Sequence, residues 1–107
     1  MILKRSEVEI ADCFFKKFRG LMFRKKPKKM LLVLKNQGRI EAGIHSFFVF
    51  FPFDAVWLDE NWKIVDLKTV RPFSFKTPRK PAKYVLELPK GMIEKRKMKI
   101  GERIIIK

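Results

Sequence analysis

Cysteine and histidine occur once each in this chain, as Cys13 and His45. A single thiol excludes an internal disulfide and any multi-cysteine metal site, which suits a reducing compartment. Small polar residues are scarce too: Asn36, Asn61, Gln37, Ser6, Ser46, Ser74, Thr69 and Thr77 are all there are. No serine stands in a nucleophile elbow, and the glycines at 20, 38, 43, 91 and 101 make neither a phosphate loop nor a dinucleotide fingerprint. No apolar run approaches the roughly twenty residues that cross a bilayer as a helix. The opening MILKRSEVEI alternates with charges after three apolar residues and lacks the apolar stretch of a secretory signal, so the expectation is a cytoplasmic protein.

Acids are the remaining shortage. Against 26 Lys and Arg stand 11 Asp and Glu, a formal charge of +15. A field of that sign attracts nucleic acid, anionic lipid or acidic proteins, and says nothing of the fold. Abundant Lys, Arg and Glu with few amides and hydroxyls is also a heat-adapted composition, so part of the charge has a second explanation. What is plentiful is apolar: 47% of the residues, with 11 Phe, beside 35% charged. That is a globular composition, and 107 residues fit a single domain, 1–107, with one modest core.

Periodicity divides the chain. VEIADCFFKKFRGLM begins as a short strand, then turns helical: Ala11, Phe14, Phe15, Phe18, Leu21 and Met22 share one arc, with Lys16, Lys17 and Arg19 outside it. Asp12 is the expected N-cap and Gly20 a stop. Met30 to Leu34 reads as a buried strand. In HSFFVFFPFD, Pro52 cannot donate to a ladder, which predicts a corner between a strand near 45–51 and another near 55–59. AVWLDENWKIVDLKTV reads as a hairpin turning at DEN, its second arm alternating Ile64 and Asp66 against Val65 and Leu67, with one face wet. Residues 71–83 hold three prolines and five basic residues and read as a long loop. Tyr84 to Leu88 and Arg103 to Ile106 read as strands, joined by a short helix or an irregular basic segment. At least six strands and one or two short helices make the class mainly β, a compact sandwich or barrel.

Four stretches, in order, resemble the family called domain of unknown function 192: FRGLMFR (Phe18 to Arg24), FPFDAVWLDENWKIV (Phe51 to Val65), YVLELPKG (Tyr84 to Gly91) and IGERI (Ile100 to Ile104). The resemblance spans nearly the whole chain. It implies a jelly-roll type of β-sandwich or barrel with a short helix near the start. It implies no activity, substrate or cofactor, so no residue's role carries over. Many relatives have a Trp-Met-Lys-Asn-Thr-like segment before the proline, where this chain has HSFFV, His45 to Val49.

Three kinds of function are weighed on the residues. A non-enzymatic binding or accessory module comes first, its ligand-binding candidates being Arg19, Arg24, His45, Asp54 and Glu87. The second is sequence-independent nucleic-acid or polyanion binding through basic segments 16–29, 68–83 and 90–99. Its candidates are Lys16, Lys17, Arg19, Arg24, Lys25, Lys26, Lys28, Lys29 and Trp62, the last as a stacking ring. The third is a hydrolase-type enzyme using Asp54, Glu87 and His45, with the two acids sharing a cleft and one carboxyl's pKa raised. Against it, Asp54 and Glu87 each sit on an apolar run where an unpaired carboxylate is costly. Pairing with Arg19, Arg24 or backbone amides is therefore the expected structural role.

No catalytic residue, metal ligand set or cofactor motif is assigned. A Cys13–His45 pair has only the co-occurrence of the two residues behind it. The basic-flanked apolar arc of 11–26 fits an interfacial helix, but such an arc ordinarily packs on the core. Trp57 is expected in the core and Trp62 partly exposed. The run Phe47 to Phe53 is too short for a membrane anchor and apolar on both faces, which predicts a central strand buried on both sides. Either a monomer or a homodimer paired through a strand edge is compatible with the chain.

Overall fold

The computed structural model describes residues 1–11, 29–39, 44–45 and 51–107. Five strands form its main sheet: β2 (Glu9–Ala11), β3 (Met30–Gly38), β5 (Phe53–Leu58), β6 (Ile64–Val70) and β8 (Ala82–Pro89). Their spatial order is β2-β3-β8-β5-β6, with β2 parallel to β3 and the other pairings antiparallel. Two small ladders lie outside this sheet. β1 (Ile2–Leu3) runs parallel to β9 (Ile105–Ile106), and β4 (Ile44–His45) antiparallel to β7 (Phe75–Lys76). The protein is mainly β, and among the described residues the sheet is open rather than closed into a barrel.

Apolar side chains cover both faces of that sheet, because its middle strands are apolar at odd and even positions alike. One face gathers Met30, Leu32, Phe53, Ala55, Trp57, Val70, Ala82 and Val85. The other gathers Leu31, Val56, Leu58, Ile64, Leu86 and Leu88, with Leu3, Val8, Met98 and Ile104 packed over them. Every residue of β5 is buried, Trp57 included. Of the doubly buried central strand predicted near 45–51, positions 46–50 lie outside the described residues, while His45 ends β4 and Phe51 is a half-buried bend. A strand with those properties follows Pro52 directly, beginning at Phe53 rather than near 55. The helix predicted over 11–22 also lies outside the description except for Ala11, which ends β2.

The β5–β6 hairpin is closed by local chemistry. Asp59 Oδ1 accepts the amides of Asn61 (2.8 Å) and Lys63 (3.0 Å), an Asx turn at the predicted place. Past the turn the register pairs Leu58 with Ile64 but Trp57 with Asp66, so Val65 is a bulge. The bulge corrects the alternation expected for this arm. Ile64 and Asp66, placed together by strict period two, lie on opposite faces, and both are buried.

After β8 comes the short helix α1 (Met92–Lys95), the first of the two alternatives expected for this segment. Gly91, at φ 95°, turns the chain into it. Its exit is a Schellman arrangement: the Met98 amide donates to Ile93 O (2.9 Å) and the Lys97 amide to Glu94 O (3.1 Å), with Lys97 left-handed at φ 52°. Met98 is buried in the core beneath it.

Candidate functional site

Asp54 is the second residue of β5, near the open end of the β5–β6 hairpin, and is 1% exposed. Its partners are specific. Oδ1 accepts the Thr69 hydroxyl at 2.8 Å across β6, and Oδ2 accepts the amides of Gly91 (3.0 Å) and Ile93 (2.9 Å). Gly91 has no side chain with which to cap its own helix, and Asp54 supplies that acceptor from a strand 37 residues away. The carboxylate is thus held by backbone amides, one of the structural roles expected of it.

Glu87 is 5% exposed and has an interaction of its own. Register settles its relation to Asp54. On β5 and β8, Asp54 faces Leu88 and Ala55 faces Glu87, and directly opposed residues point the same way from a sheet. Asp54 therefore projects with Val56, Leu86 and Leu88, and Glu87 with Ala55, Met30 and Trp57. The sheet stands between them, so they share no cleft for general acid and base work. His45 is in β4, its backbone opposite Phe75. Arg19 and Arg24 lie outside the described residues, as do Lys16, Lys17, Lys25, Lys26 and Lys28. Lys29 is described, and its Nζ pairs with Glu7 Oε2 at 3.2 Å. Trp62 is half-buried at φ 65° and stacks on Tyr84, with ring centres 4.0 Å apart and planes 19° apart. A cleft of about 520 Å³ adjoins it, lined by Arg103 and the last strand.

A second buried carboxylate, Asp66, is one that sequence reasoning missed. It is 2% exposed and accepts the amides of Leu67 and Arg79, both at 2.9 Å. Lys68 Nζ lies 3.4 Å from Asp66 Oδ2, and Arg79 Nε lies 3.6 Å from Oδ1. Lys68 also donates to Thr77 O at 2.8 Å and sits 5.6 Å above the Trp57 ring, while Arg39 Nε donates to Pro78 O at 3.0 Å. These bonds lash the far side of the 71–81 loop to the sheet, with Pro78 buried. Ahead of that anchor, Phe73 and Phe75 are each 58% exposed, and Phe73 is left-handed at φ 57°. The signal for this tip was in the sequence: two Phe one residue apart, between prolines, in a stretch from Leu67 to Leu86 with six basic residues and no acid.

The chain matches the family of uncharacterised conserved proteins called domain of unknown function 192 over residues 2–106. It belongs to that family. A relative in Pyrococcus furiosus, a UPF0127 protein, is 41% identical over 100 residues, covering 94% of this chain and 86% of its own length. Further UPF0127 relatives occur in Thermococcus and other Pyrococcus species, which are thermophilic archaea. Among solved structures, a protein from Sinorhizobium meliloti named provisionally as a transcription regulator superposes with TM-score 0.81 at 24% identity, covering 90% of this chain and 78% of that one. A protein of unknown function from Novosphingobium aromaticivorans gives 0.82 at 19% identity, covering 90% and 71%. Both likenesses speak for the fold alone. No helix of the described residues is long and apolar enough to cross a membrane.

Proposed function

We propose that this protein is a single-domain, non-catalytic binding module whose ligand is a nucleic acid, held through its phosphates. One observation carries the reading: exposed basic side chains stand without acidic partners. Lys90, Lys95, Arg96, Lys97 and Lys99 are exposed, and none of the five is in an ion pair among the described residues. Heat adaptation enriches Lys together with Glu and organises them into surface networks. It explains paired charge better than a surplus of fifteen. The acids whose bonds are known support the same view, because Asp54 and Asp66 are both occupied in holding backbone amides.

The test is a titration of labelled single- and double-stranded oligonucleotides, followed by fluorescence anisotropy as salt rises from about 50 to about 200 mM. Micromolar binding at low salt with a steep fall is expected. Neutralising Lys95, Arg96, Lys97 and Lys99 to Gln should flatten the logarithmic salt slope by roughly 0.9 for each duplex phosphate that no longer meets a cation. No binding at the lowest salt would sink the reading.

A further inference from the structure

We infer that the tip of the 71–81 loop is a stacking platform for unpaired bases, so that the nucleic acid bound is single-stranded. The inference rests on the phosphate-binding reading above and names its substrate class. Two exposed phenyl rings, Phe73 and Phe75, sit on a loop whose charges all carry one sign. Arg71 and Lys76 flank them and Lys80 follows, all three exposed, while Arg79 stands beside Asp66. Rings interleaved with cations suit single strands, because every base has a π-face and every step a phosphate. In a duplex those faces are already stacked, and reaching one costs the unstacking of a base step.

The loop is also prepared for the task. Asp66, Lys68 and Arg39 fix its return limb, and Pro72, Pro78 and Pro81 restrict its backbone. Little ordering is left to oppose binding. β4 braces the platform itself, since Phe75 pairs with His45 through the backbone. Phe73 holds φ 57°, where glycine would be at ease, so a large apolar side chain is kept at an exposed and strained position. The sheet continues the basic surface. Phe53 pairs with Val70 on one side and Pro89 on the other, so Arg71 and Lys90 leave the same end of the sheet, two strand spacings or about 10 Å apart. A strand stacked on the rings would find phosphate partners on both sides.

A bilayer is the less suitable partner for this tip. Two phenyl rings are a small apolar payload, and even a single long acyl chain anchors a protein only marginally.

The experiment compares wild type, Phe73→Ala, Phe75→Ala and the double variant on a single-stranded and a double-stranded 20-mer of mixed sequence. Circular-dichroism melts of each variant confirm folding. Wild type is expected to favour the single strand at least about tenfold, and each substitution to weaken it roughly fivefold to a hundredfold while leaving the duplex unchanged. Phe73→Gly adds a control: it relieves the backbone strain, so a melting point at or above wild type with weakened single-strand binding separates stacking from support of the fold.

Equal affinity for both strands with neutral Phe substitutions overturns the platform and leaves the phosphate reading standing. Failure to bind either oligonucleotide overturns that reading as well. Phe-dependent binding to anionic phosphatidylserine vesicles without single-strand preference overturns the inference in favour of a lipid surface. Phe-dependent dimerisation in sedimentation, again without single-strand preference, overturns it in favour of a second copy.

Discussion

Replacing Asp54 tests whether its carboxylate is a structural acceptor, and the size of the effect follows from its three bonds. Asp54→Ala strands the amides of Gly91 and Ile93 and the Thr69 hydroxyl. A buried donor left without an acceptor costs about 1–3 kcal/mol. Thr69 is exposed and its hydroxyl can turn to water, while Gly91 and Ile93 are only partly covered, so the lower half of that range applies to each amide. The sum is about 2–4 kcal/mol, a large part of the about 5–15 kcal/mol that holds a domain of this size. Asp54→Asn behaves differently. Its Oδ1 can serve both amides while Nδ2 donates to Thr69 Oγ1, so only the charge assistance is lost, about 1 kcal/mol. Urea unfolding of the three proteins measures the losses, and hydrogen exchange at Gly91 and Ile93 locates them. Equal losses for Ala and Asn, or unchanged exchange at those amides in Asp54→Ala, would refute the capping role.

Other consequences follow from the same geometry. Lys97→Gly removes a left-handed lysine at the helix exit and is expected to raise stability by about 0.5–1 kcal/mol, read as a higher urea midpoint. A lower midpoint would show that the Lys97 side chain outweighs its backbone strain. Asp66→Ala should lower stability by about 2–4 kcal/mol through the Leu67 and Arg79 amides. It should also speed tryptic cleavage between Lys76 and Lys80, since the loop loses its tether, and unchanged digestion kinetics would contradict that. Trp62→Ala and Tyr84→Ala should each remove the stacking contribution of about 0.5–1.5 kcal/mol beyond area. Their double variant should cost less than the sum, and strict additivity would deny the pair.

Local features were legible because their causes are local. The turn at DEN, the hairpin about it and the strand segments Met30 to Leu34 and Tyr84 to Leu88 follow from side chains within a few residues of one another, although the strands run on to Gly38 and begin at Ala82. The family could be read from four ordered stretches and is established over residues 2–106. Asp54 was legible as an acid that needed partners. Asp66 was not, because period two across Ile64 to Val70 cannot reveal a bulge at Val65. That one extra residue separates Asp66 from the face of Ile64 and leaves it buried beneath the returning loop.

By itself, then, the sequence determined the class and the strand-forming segments, through hydrophobic period, proline and turn chemistry acting over short range. It also determined the surplus of cations, which no fold can alter. Only the tertiary structure decided what the acids do. Asp54 and Glu87 look alike in sequence, each an acid in an apolar strand, yet the β5–β8 register places Leu88 opposite Asp54 and Glu87 one residue away. One step of register exchanges the two faces of a sheet, and register is fixed by packing between segments distant along the chain. The same packing carried the chain after β8 to Asp54, so that two amides of 91–93 meet an acceptor 37 and 39 residues earlier.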